Sequence, residues 1–311
     1  MDILVLRPGA LGDTLMLAPA ALRISSNHRV LVAGREPGVS FLERVVSRVY
    51  DIERGGWHRL FSSGLQQGQL PVAAAEVVIG FFSESSGAVF ENLGRCFPVS
   101  TVHIFPPFPE PGRSIHVAGY VAECLEAAGL PLETSDVVSS ACKEAVLAGP
   151  GSIRRKPWLV FHPGSGDKRK NHTMRLWRKL ALELCDKWPV EVERMIWLLG
   201  PAEAGLLENA ISIDCGEVLF CPGHRELSNV LEECSFFAGQ DSGVTHLAAM
   251  KGAPCLAFFK ESDPVQWRPL GPEVEVVFCA DEQEAFKRGV SAALGLAERT
   301  AVGVGVFGVP K

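Results

Sequence analysis

The sequence contains no apolar run approaching the ~20 residues that a membrane-spanning helix needs. It opens Met-Asp-Ile-Leu-Val-Leu-Arg, with an acid where a secretory leader carries a base, so a soluble cytoplasmic protein is expected. An excess of positive charge is missing too. Lys and Arg number 30 against 36 Asp and Glu, and the net charge of −6 argues against a broad nucleic-acid-binding surface. There is no Gly-x-Ser-x-Gly elbow of a serine hydrolase, and no Lys-Ser/Thr phosphate loop. The Asp-x-Asp pair that metal-dependent sugar transferases carry is absent. The dinucleotide spacing from Gly303 to Gly308 stands three residues from the last one, which leaves no room for the helix it requires. Nine cysteines are scattered, several of them inside apolar runs such as Glu123-Cys124-Leu125, which reads as reduced and buried thiols. Cys215 and Cys221 have no matching second pair, so no metal site is expected.

What is present is enough for two folded α/β domains: 311 residues, 47% hydrophobic and 21% charged. Short β-branched runs alternate with longer helical patterns. Strands are expected at 3–7, 30–33, 77–81 and 101–105, with helices near 14–24, 39–46 and 115–128. Gly129-Leu130-Pro131 stops the last of these. A linker-like stretch at 148–152 separates a second series, with strands at 158–162, 195–199, 236–238 and 255–259. Its helices are expected at 175–187, 225–234, 244–251 and 282–296. The expected domains are therefore 1–150 and 151–311, with the last helix free to pack back on the first. Strands that are nearly all apolar fit parallel sheets covered on both faces. Such sheets place ligands at the carboxyl ends of their strands, so a cleft between the halves is the expected site.

Three segments carry chemistry. Arg7-Pro8-Gly9-Ala10-Leu11-Gly12-Asp13 follows the first strand, and its glycines let the backbone turn sharply before a carboxylate. Asp13 at this corner fits a helix cap as well as a cleft-facing acid. His162-Pro163-Gly164-Ser165-Gly166-Asp167-Lys168-Arg169-Lys170 is a turn rich in N–H groups followed by three cations. That suits a diphosphate, and a solvated basic loop has the same composition. Asp241-Ser242-Gly243-Val244-Thr245-His246 turns a strand into a helix whose N-terminus favours a pyrophosphate. A capped helix carrying a satisfied histidine is the plainer alternative.

Taken together, these segments resemble the glycosyltransferase family that includes the ADP-heptose:lipopolysaccharide heptosyltransferases, glycosyltransferase family 9. Arg7, Gly12 and Asp13 match its opening, and His162–Ser165 with the following lysine match its second-domain turn. Asp241, Ser242, Gly243 and His246 match its Asp-Ser/Thr-Gly-x-x-His. The run from Leu198 to Glu203 and the later Asp263-Pro264…Trp267-x-Pro269-x-Gly271 add to the match. The family shows an aromatic-proline pair after the lysine, where this chain has Lys170-Asn171-His172-Thr173.

The resemblance implies a GT-B fold: an acceptor-binding first domain, a donor-binding second domain and a cleft between them. It implies inverting sugar transfer without a metal or other cofactor, with ADP-heptose as the donor and a lipopolysaccharide-core or related glycolipid as the acceptor at the inner membrane surface. Asp13 would be the general base, and Lys170, with Lys168 as the alternative, would meet the diphosphate. Gly12, Ser165, Glu203, Asp241, Ser242, Gly243 and His246 would line the donor site. Arg35, Arg54, His58, Arg59 and Arg95 are the cations available to an anionic lipid core, and most fit a solvated surface equally. Two other readings use the same residues: a catalytically silent nucleotide-sugar-binding protein, and a same-fold transferase using another sugar nucleotide or a protein acceptor.

Overall fold

A computed structural model describes residues 1–62, 64–83, 87–149, 155–206 and 216–303. Cys215, part of the 148–152 linker and nearly all of the tail from Gly303 to Gly308 lie outside the described residues. The chain forms two compact units, Met1–Ser140 and Ala141–Lys311.

The first unit is a parallel five-stranded sheet in the order β3-β2-β1-β4-β5. Its strands are β1 (Asp2–Arg7), β2 (Arg29–Gly34), β3 (Arg48–Asp51), β4 (Val77–Phe81) and β5 (Thr101–Phe105). Helices α1 (Leu11–Leu15), α2 (Ala18–Ile24), α3 (Ala88–Cys96), α4 (Val117–Ala127) and α5 (Thr134–Ala141) accompany it. The central strands are buried along almost their whole length, as expected where both faces of a sheet are covered. One helix expected over 14–24 is two. Pro19 lacks an N–H and suits the first turn of a new helix, not the interior of an old one, and α2 starts there. The expected helix at 39–46 is a 3-10 turn, Val39–Arg44. Helix α4 ends as the sequence indicated: Gly129 takes φ +87°, and the N–H of Leu130 returns to the carbonyl of Leu125.

The second unit is a parallel six-stranded sheet in the order β11-β10-β9-β6-β7-β8. Its strands are β6 (Lys156–His162), β7 (Arg194–Leu199), β8 (Glu217–Phe220), β9 (Cys234–Gln240), β10 (Cys255–Phe259) and β11 (Val274–Phe278). Its helices are α6 (Met174–Lys187), α7 (His224–Glu233), α8 (Gly243–Met250), α9 (Pro264–Trp267) and α10 (Glu282–Gly303). Helix α10 lies along α6 and the sheet of its own unit. No helix among the described residues is long and apolar enough to cross a membrane.

In each sheet the chain leaves the first strand on both sides, which creates a switch point between β1 and β4 and another between β6 and β9. Loops at the carboxyl ends of such strand pairs diverge and leave a crevice for a ligand. Below them the cores hold the strands rigid. In the second unit the core centres on Phe161, Trp177, Trp197, Phe236 and Phe258. Trp177 is wholly buried and meets Phe258 edge to face at 5.1 Å. Removing so large a side chain leaves a cavity as well as losing burial. Trp177→Ala is expected to cost about 3–5 kcal/mol in urea unfolding. A loss below about 1 kcal/mol would show that α6 is not anchored there.

Candidate active site

The switch point of the second sheet gathers its polar residues around one buried carboxylate. Asp241 follows β9 directly and is 5% exposed. The Nζ of Lys170 lies 2.7 Å from its Oδ2, the Ser262 hydroxyl donates to the same oxygen, and His246 Nε2 stands 3.6 Å from Oδ1. Burial alone would raise the Asp241 pKa. The nearby His246 ring, with hydrogen bonds from Lys170 and Ser262, outweighs it and holds the group at about 2.

The three cations of the basic turn separate in space. Arg169 folds back on Asp167 at 2.7 Å, Lys168 is exposed, and Lys170 reaches Asp241. They share a short 3-10 turn, Lys168–Lys170, where the Asp167 side chain accepts from the Arg169 N–H. Ser165 is buried, with its hydroxyl 2.7 Å from Asn171 Oδ1.

Ser242 caps α8, its side chain accepting from the N–H of Thr245. The first-turn N–H groups that a helix cannot bond internally are left at Gly243 and beyond. His246 is 2% exposed, and its Nδ1 has no partner among the described residues. A buried ring nitrogen in that condition is poorly placed unless a ligand completes it.

Glu203 sits on the 3-10 turn after β7, buried, with its carboxylate accepting from the Gly200 N–H at 2.8 Å. It packs against Gly164 so closely that any side chain at 164 would displace it. His162 lies beside it and donates from Nδ1 to the Leu198 carbonyl at 2.9 Å. Burial lowers the His162 pKa, against the pull of Glu203 and of that bond.

The switch point of the first sheet carries the opposite charge. Arg7, the last residue of β1, is 2% exposed; its Nε donates to the Asp13 carbonyl at 2.6 Å and its Nη2 to that of Pro107 at 3.3 Å. The guanidinium lies over the Phe81 ring at 4.7 Å, and Nη1 has no partner among the described residues. Burial pulls its pKa down to about 10, against the attraction of Asp13. Asp13 is the third residue of α1, not its cap, and its Oδ2 accepts from the Ala10 N–H at 3.0 Å. Gly12 stands beside it on α1. Arg7, Gly9, Asp13, Arg35, Phe82 and Phe108 line a cavity of about 420 Å³.

Residues 101–295 match the family described as glycosyltransferase family 9 (heptosyltransferase). The chain belongs to that family. It is a glycosyltransferase, and its two parallel-sheet domains are those of the GT-B fold. A family 9 glycosyl transferase from Veillonella parvula is 14% identical over 96% of this chain and 97% of its own, with a TM-score of 0.66. The E. coli heptosyltransferase WaaC, solved with ADP, is 15% identical over 98% and 99%, with a TM-score of 0.62. The dodecameric iron-containing glycosyltransferase TibC of enterotoxigenic E. coli is 14% identical over 98% of this chain and 80% of its own, at 0.58. Among curated proteins the sequence finds no match.

In this family 9 chain the second unit therefore brings together Lys170, Asp241, Ser242, Gly243 and His246, with Ser165 and Glu203 on the flanking turns. Lys168 stays outside the group. Of the cations considered for an acceptor, Arg35, Arg54 and Arg95 are paired with Glu53, Asp51 and Glu91, and only Arg35 of these lines the cavity. Sequence reading missed Ser262 and Gln240. The position of Ser262 just past β10, the strand beside β9, was the signal available for it.

The ionised form of Asp241 is favoured in the folded protein by about 2 kcal/mol. A depressed pKa gives stability that is complete above the unfolded value of about 3.9 and lost as pH falls through the folded value. The stability gap between wild type and Asp241→Asn, from urea unfolding at stepped pH, should be widest above about pH 5 and close towards pH 2. A gap constant over that range would contradict the assignment.

Proposed function

We propose that the protein transfers heptose from ADP-heptose, with inversion and without a metal, to a lipopolysaccharide-core or related glycan acceptor. The observation that carries this reading is the pair of switch-point sites: a cation and helix N–H groups in the second unit, and a carboxylate beside a buried cation in the first. The leaving diphosphate gains negative charge as the sugar departs, and a fixed cation with oriented N–H donors stabilises it without reorganisation. Lys170 with the first turn of α8 supplies that set. His246 offers its unpartnered Nδ1 to the diphosphate or the sugar, and Glu203 is an acceptor for hydroxyls of the nucleoside. The ADP bound to the E. coli neighbour supports the choice of nucleotide.

On the acceptor side, Asp13 takes the proton from the attacking hydroxyl. Arg7 lies beside it, buried and with one nitrogen unpartnered, so an anionic group on the acceptor would compensate its charge. That chemistry fits an acidic glycolipid core met at the cytoplasmic face of the membrane.

Calorimetric titration in the presence of a chelator should show ADP binding in preference to UDP, weakened by Lys170→Ala. Equal or tighter UDP binding would move the donor to another sugar nucleotide, and no binding of either would remove the reading. Asp13→Asn is expected to leave ADP affinity unchanged and to lower kcat by about 10²–10⁴ in a transfer assay. Near-normal turnover of that variant would show that Asp13 is not the base.

A further inference from the structure

Lys170 has a long flexible stem, and a cation that must meet a diphosphate at a defined point gains little precision from its own rotamers. The structure supplies the precision from elsewhere. Gln240, the last residue of β9, is wholly buried directly beneath the loop that carries Lys170. In the amide orientation that satisfies both ends, its nitrogen donates to the Lys170 carbonyl at 3.2 Å and its oxygen accepts from the main-chain N–H of His172 at 2.5 Å. The residue that follows β9 is Asp241, which receives the Lys170 Nζ. Two successive side chains at the end of one rigid central strand therefore hold the two ends of the same lysine, one its backbone and the other its head.

His172 extends the clamp. Its ring meets Phe258 edge to face at 5.7 Å, and its Nε2 donates to the Cys279 carbonyl at 2.9 Å. An aromatic ring at 172 would keep the packing and lose the bond to Cys279. Thr173 then ties the end of the loop to Glu282 through its N–H at 2.9 Å and its hydroxyl at 2.7 Å. Gln240 and His172 are both buried, so their route to the diphosphate runs through Lys170.

We infer that Gln240 and His172 form a positioning pair that sets the reach of Lys170 towards the leaving diphosphate. The inference rests on the donor reading above, and its test separates the two. In unliganded protein, reductive methylation followed by mass spectrometry reads the accessibility of the Lys170 amine, with exposed Lys168 as internal reference. Gln240→Leu and His172→Phe should each raise Lys170 labelling about threefold or more relative to Lys168, because a loosened loop releases the amine from Asp241. His172→Phe keeps the ring packing, so one variant remains informative if the other folds poorly.

ADP affinity should fall about tenfold in Gln240→Leu and no further when Gln240→Leu is added to Lys170→Ala. Unchanged labelling ratios in both variants would overturn the inference. So would an equal loss of ADP affinity in the Lys170→Ala background, which would mean that Gln240 acts by another route. If wild type binds no ADP, the donor reading falls and the labelling ratio alone decides the positioning role.

Discussion

The second unit is organised around the cost of keeping one carboxylate ionised out of water. Asp241 is 5% exposed, and a carboxylate in that position is stable only if donors replace its lost hydration. The donors come from three different segments: Lys170 from the turn after β6, Ser262 from the loop after β10, and His246 from α8. Their convergence fixes those segments relative to one another at the carboxyl edge of the sheet. A single charge thereby positions the loops that the chemistry needs. The first unit repeats the device with the sign reversed, since Arg7 ends β1 as a buried cation whose bonds run to carbonyls of Asp13 and Pro107.

Both arrangements depend on apolar sheets that can carry the expense of a polar site. The central strands β1, β4, β6, β9 and β10 are buried nearly end to end, and side chains such as Trp177, Trp197 and Phe236 fill the layer between the second sheet and its helices. Burial on this scale leaves the strands little freedom, so residues placed at their carboxyl ends are held to a fraction of the freedom a loop would give them. Gln240 and Asp241 use that rigidity directly.

The central strands were legible because a strand covered on both faces reads as a continuous apolar run. Three of the four edge strands were not. β3 carries Arg48 and Asp51, β8 starts at Glu217, and β11 contains Glu275; each is short, partly exposed and polar enough to lose the run. The glycine that stops α4 was readable from its type and place, whereas the break at Pro19 was passed over because the apolar pattern continues across it. At the site, the motifs placed Asp13, Lys170 and Asp241 at strand ends, but the choice between Lys168 and Lys170 stayed open in the sequence. Both follow the same turn, and only the path of a 3-10 turn aims Lys170 at Asp241 and Lys168 outward. Ser262 and Gln240 were hidden for a related reason: each acts on a residue more than twenty positions away or across a strand, and no local spacing records that contact.

The central claim is that a fixed lysine, and not a bound metal, holds the charge of the departing nucleotide. The most direct measurement is the rate of ADP release from ADP-heptose in the presence of an acidic glycolipid acceptor, before and after exhaustive chelation and dialysis. The account predicts acceptor-dependent release that is unchanged by removing metal. Release that disappears on chelation and returns with an added divalent or iron salt would contradict it.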